Sequence, residues 1–207
     1  QAYLTLGTAW LGLSALLNLT HAWFLVSRRE FQVPPYLNIP YLSVFLVGFV
    51  TFWILGVSLR TLPVFMGLKS RPAVASWLPV PLTLSLALLT VGEGLLLYGA
   101  GSLARILFGL GGLGLAAGLA LYTWSLGILG RVGEVEPGVS RSYEKFLRLG
   151  YAWLLISGGM LAIFSVLALA GRNMDHALVG AYRHALTVGF ITTIMVGMAL
   201  RIVPVFR

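Results

Sequence analysis

The chain has 207 residues, 58% hydrophobic and 10% charged, with a formal net charge of +8 and a mean hydropathy of +0.93, well outside the range of an ordinary soluble domain. It contains no cysteine, which excludes disulfides, thiolate metal sites and cysteine nucleophiles. Its basic residues form no clustered face of the kind a nucleic-acid partner requires.

A helix needs about 20 apolar residues to cross a bilayer. Six stretches meet that requirement in chain order: Ala2–Val26, Tyr41–Leu62, Trp77–Gly99, Leu103–Gly130, Phe146–Ala170 and Ala177–Val203. A spanning strand would be half as long and would alternate in polarity, so the expected fold is all-α and integral to the membrane. The connections carry breakers and charges, as in SRREFQVPPYLNIP and GRVGEVEPGVSRSYEK. Arg60, Lys69, Arg71, Arg131, Arg141, Lys145, Arg148, Arg201 and Arg207 lie on the side of the two termini, against Arg28, Arg29, Arg105, Arg172 and Arg183 opposite. That excess predicts cytoplasmic termini. The chain opens on Gln1 without a signal-peptide pattern, so a processed protein or part of a longer one is expected.

The second and sixth stretches share a segment. Gly48 to Phe65 reads GFVTFWILGVSLRTLPVF and Gly189 to Phe206 reads GFITTIMVGMALRIVPVF, identical at nine of eighteen positions. The preceding helices also match, as LTLGTAWL (Leu4 to Leu11) and LRLGYAWL (Leu147 to Leu154). Internal similarity of this kind reveals the unit of a fold. Four spans separate the copies, which makes the repeat parallel, unlike the inverted halves of many transporters. Residues 1–140 read as a first four-helix repeat and residues 141–207 as the first half of a second.

Each copy ends on Arg-x-x-Pro-Val-Phe, with Arg60 in the first and Arg201 in the second. Arginine at an inner helix end complements the helix dipole and snorkels to the interface, while proline stops the helix. The other reading is a functional site built symmetrically by Arg60 and Arg201. Gly109, Gly111 and Gly114 spell GxGxxG, but no strand precedes them, so a dinucleotide site is rejected. Gly114 and Gly118 form GxxxG, a helix-packing motif.

Ionisable groups inside a membrane are costly and mark candidate sites. His21, Glu93 and His184 all fall in the outer half of the bilayer at similar depth, reckoned at about 1.5 Å per residue. His176 lies further out, at the interface. Two imidazoles from different helices can clamp a haem, so His21 and His184 are candidate ligands of haem iron. Arg183, Arg172, Arg28 and Arg29 lie further out on the same side and can pair with propionates. The alternative is that each histidine bonds to a neighbouring helix. Glu93 either orients a histidine or passes protons, or simply bonds to a serine or threonine on another helix.

The stretch YRHALTVGFITTIMVGMALRIVPVF (Tyr182 to Phe206) resembles the NnrS family of haem- and copper-containing membrane proteins, and more distantly the catalytic subunit of haem–copper oxidases. The match rests on His184, Ala185, Leu186, Thr187 and Gly189, and on Arg201, Pro204 and Phe206. The resemblance implies a twelve-span protein of three four-helix arcs, linked to nitric-oxide metabolism or respiratory electron transfer in the bacterial inner membrane. It implies haem b, and copper only with ligands outside this chain. Ser43 stands where the first copy would need its histidine. With three histidines in total, the chain is expected not to be catalytic by itself. Other membrane subunits or a redox partner would then complete it. A transporter, or a structural subunit of a larger membrane complex without its own cofactor, is the alternative. No nucleophile–base–acid set or phosphate loop points to a soluble enzyme.

Overall fold

In the computed structural model, residues 1–99, 101–130, 141–172 and 176–203 are described. The described residues form helices and turns, with no strand among them. Six helices are long and apolar enough to cross a membrane. Span 1 is Ala2–Arg28 and span 2 is Pro35–Met66. A short helix, Pro72–Trp77, leads into span 3, Pro79–Leu97. Spans 4 and 5 are Ser102–Leu126 and Ser142–Leu169, and span 6 is Leu178–Ile202, whose helix begins at His176. This is the architecture of a multi-pass membrane protein.

Pro63 does not end span 2 as its sequence position predicts. The helix runs through it to Met66 and stops at Gly67, whose φ of 58° is left-handed. Glycine takes that conformation without the Cβ clash other residues meet, which makes it the natural helix stop. Proline removes only one donor, and a neighbouring helix can re-satisfy the freed carbonyl inside a bundle. Pro204, Val205 and Phe206, the second copy's counterparts, lie outside the described residues.

Neighbouring spans pack in sequence, with span 3 most closely applied to span 4, and spans 2 and 6 meeting at mid-length. Lipid offers no hydrophobic drive between helices, so close approach depends on small residues. Gly92 on span 3 faces the Phe108 backbone, and Gly111 on span 4 faces the Leu89 backbone, each too near for a Cβ. The centre is aromatic. Tyr3 lies edge-on to Tyr122 at 5.5 Å, Tyr122 stacks on Tyr151 at 6.4 Å, and Tyr151 lies edge-on to Phe190 at 5.5 Å. The Tyr3 hydroxyl donates to Ala75 O at 3.1 Å, and Tyr122 donates to Leu55 O, so these phenols stay hydrogen-bonded where water is absent.

Spans 2 and 6 share a local irregularity. Each contains an eight-residue π-helix, Val44–Thr51 and Ala185–Thr192, set 141 positions apart like Gly48 and Gly189. In both, a threonine hydroxyl donates to the carbonyl five residues back: Thr51 to Leu46 at 2.9 Å and Thr192 to Thr187 at 3.1 Å. The packing partners also correspond. Gly48 lies under the Trp10 ring and Gly189 under the Trp153 ring, while Gly56 meets Leu4 and Gly197 meets Leu147. The two copies join through their motifs: the Arg201 guanidinium lies 5.0 Å from the Phe65 ring centre, and the Tyr143 hydroxyl donates to Phe65 O.

Replacing Gly111 by valine forces span 4 away from Leu89 and is expected to cost about 1–3 kcal/mol, the usual range for overpacking. Gly12, whose Cβ would meet nothing within 4 Å, should accept valine without loss. Thermal unfolding of the two variants in mild detergent checks this, and equal melting temperatures would contradict the packing.

Arg201→Ala should likewise lower the melting temperature, because it removes the stack on Phe65. Arg60→Ala, at an exposed position, should leave the melting temperature unchanged.

Candidate functional site

Span 3 carries Glu93 into the bundle, where Gly92 and Glu93 are both buried. A carboxylate buried among apolar helices must find donors, since water is not there to solvate it. Two neighbouring spans supply them. The Ser43 hydroxyl, at the start of the π segment in span 2, donates to Glu93 Oε2 at 2.6 Å. From span 6, Arg183 Nη2 stands 3.9 Å from Glu93 Oε1. That nitrogen is buried and has no hydrogen-bond partner within the protein. Ser43, Glu93 and Arg183, from spans 2, 3 and 6, therefore meet in one cluster.

Beside this cluster, a cavity of about 450 Å³ runs toward the ends of spans 3, 4 and 5. Its inner wall is Glu93, Phe108, Leu161, Phe164 and Tyr182, and Arg105 and Arg172 are also in its lining. Phe164 and Tyr182 meet at right angles, 6.5 Å between ring centres, and close one wall. The volume falls in the ordinary range of ligand sites. The arrangement can bind a polar head against guanidinium groups, hold an apolar body, and exchange a proton at a carboxylate.

The two histidines occupy different settings. His21 is 5% exposed, with the Tyr41 ring edge-on at 5.1 Å. An iron-bound porphyrin would have to displace that packing. His184 is exposed on span 6, and its Nδ1 lies 2.9 Å from Gly180 O. A backbone carbonyl on Nδ1 fixes the tautomer that leaves Nε2 free as a ligand, the arrangement typical of metal-bound histidines. No hydrogen bond or ring contact joins His21 to His184, and among the described residues no group of three or more potential metal ligands is gathered. The structure thus sets His21 against Tyr41 and His184 against Gly180 O, on two different spans. His176 starts the last helix, and its side chain lies outside the described residues.

Arg60 and Arg201 are not equivalent in their surroundings. Arg60 is exposed, whereas Arg201 is half-buried against Phe65 and Tyr143. At Arg201 the motif therefore joins the two copies, through Phe65 and Tyr143.

The copies also differ on one face. Ser43 and Val47 in span 2 are covered by span 3, with Val47 2% exposed. Their counterparts at the same offset, His184 and Val188, are exposed, Val188 at 61%. Leu62 is fully buried, and its counterpart Val203 is 53% exposed.

The π segments, each starting directly after Ser43 or His184, were not foreseen from the sequence. The signal available was the repeated Gly-Phe-x-Thr block, whose threonines bond to the widened turn. The cavity and its Arg105 were also missed, because the lining comes from five different spans.

No family model, no curated protein and no solved structure matches this chain.

Ser43→Ala leaves one Glu93 oxygen without a donor and should cost about 1–3 kcal/mol, the range for an unsatisfied buried polar group. In a double-mutant cycle with Glu93→Gln, the two changes should couple rather than add. Additive losses in thermal or denaturant unfolding would show that the contact contributes nothing.

Proposed function

We propose that this chain is a haem b-binding protein of the bacterial inner membrane, resembling NnrS and concerned with nitric oxide or respiratory electron transfer. In this reading it has cytoplasmic termini and is not catalytic by itself. The parallel four-helix repeat is its building unit. The equivalent π segments and tryptophan-on-glycine contacts support that unit.

One observation carries the haem reading: His184 is oriented by Gly180 O, leaves Nε2 free, and faces out of the bundle at the opening of a π segment. Single-turn π insertions recur at functional sites. Haem would supply a one-electron redox centre and a site for diatomic ligands. Arg183, adjacent in sequence, would pair with a propionate through a guanidinium nitrogen other than the buried Nη2 that faces Glu93. His21 takes a packing role against Tyr41. The second ligand then comes from a partner helix on the open face of span 6, and copper, if bound, is held by ligands outside this chain.

A second reading is favoured by the cavity beside Glu93: a transporter, or a structural subunit without its own cofactor, in which Glu93 carries a proton. Proton-coupled uptake in liposomes that Glu93→Gln abolishes would select it.

Protein purified from haem-replete cells in mild detergent should give a b-type reduced-minus-oxidised spectrum. The signal should vanish in His184→Ala and persist in His21→Phe. Colourless, well-folded protein would overturn the haem reading.

A further inference from the structure

The cavity among spans 2 to 6 has a polarity that neither haem ligation nor helix packing explains. Its inner part is apolar and aromatic, formed by Leu96, Phe108, Leu161 and Phe164, and Arg105 and Arg172 also line it. These two arginines belong to the turns that close the bundle at one end: Arg105 lies in the first turn of span 4 and Arg172 just after span 5. Their placement is held by backbone geometry. Gly171 has φ of 76°, and a Cβ there would stand 3.2 Å from Arg105 Nη1, so the Arg105 guanidinium rests against the residue preceding Arg172. Among the described residues the ion pairs are Arg141–Glu144 and Arg183–Glu93, and neither of these arginines is neutralised within them.

Two guanidinium groups at the end of an apolar chamber match one ligand chemistry. Each presents a planar fork of donors suited to carboxylate or phosphate oxygens, and a basic pocket between membrane helices is a recognised form of headgroup site. Glu93, the acidic group in the lining, is already engaged by Ser43 at 2.6 Å and faces Arg183 at 3.9 Å. Its partners, Ser43 and Arg183, are not among the residues lining the cavity. We propose that this cavity binds an anionic amphiphile, a carboxylate or phosphate head on an apolar body, with the head on Arg105 and Arg172 and the body between Phe108, Leu161 and Phe164. Neither histidine lines the cavity, so the site does not depend on the haem reading.

The test is native mass spectrometry of the full chain in neutral detergent, titrated with octyl phosphate. One adduct per chain is expected, weakened at least tenfold by Arg105→Gln with Arg172→Gln. Ala168→Phe, which fills the cavity while keeping both arginines, should weaken it as much, and His184→Ala should leave it unchanged. Competition by phosphatidic acid would identify a lipid as the source of the head. Competition by short soluble carboxylate or phosphate amphiphiles alone would identify a free ligand. Adducts of equal strength in every variant would overturn the proposal. So would inorganic phosphate competing as well as octyl phosphate, since that would reduce the site to a surface contact with anions.

Discussion

The structure depends on an aromatic ring lying against a glycine. Trp10 covers Gly48, and Trp153 covers Gly189. In a bilayer, two apolar helices gain little by leaving lipid for each other, so the contact must come from close fit. Removing the Cβ lets an indole ring settle on the backbone of the facing helix, and the same choice is made at both copies. Those contacts pin span 1 to span 2 and span 5 to span 6, at the middle of the π segments. Everything central to the molecule hangs from that placement. It brings spans 2 and 6 together, seats the tyrosines between them, and delivers Ser43 and Arg183 to Glu93.

The same backbone solution carries different chemistry in its two copies. At the entry to the first π segment, a serine turns inward and donates to a carboxylate from the next span. At the entry to the second stands His184, on a face that is exposed among the described residues. A buried position in lipid must be either apolar or fully paired, and Ser43 with Glu93 meets that condition. An exposed imidazole with Nδ1 held by a carbonyl meets a different one: its ring is oriented and its Nε2 is left open. The contrast between Val47 and Val188, 2% and 61% exposed, marks the same divide in apolar residues.

Much of this was legible in the residues. Six apolar runs of sufficient length predicted six long helices, since no other backbone arrangement of that length satisfies its own hydrogen bonds in lipid. Counting turns put Glu93 level with His21 and His184 but left Arg183 further out, whereas Arg183 stands 3.9 Å from Glu93. The helix ends were less legible. Span 2 starts at Pro35 and passes Pro40 and Pro63, because proline in the first turn costs no hydrogen bond and within a bundle its loss is shared. The pairing of His21 with His184 rests on equal depth and the histidine motif, and neither specifies azimuth. Facing is decided by which neighbour fills the space, and Tyr41 fills it at His21. The cavity had no linear signature at all, as Glu93, Arg105, Leu161 and Tyr182 are brought together only by packing.

The central claim is that Glu93 is the polar node joining spans 2, 3 and 6, while His21 and His184 belong to separate surroundings. The absence of native cysteine makes that directly measurable in membranes. A short bis-thiosulfonate crosslinker should couple Ser43→Cys to Glu93→Cys rapidly and should fail to couple His21→Cys to His184→Cys. Efficient coupling of the two histidine positions, with none between positions 43 and 93, would contradict the account.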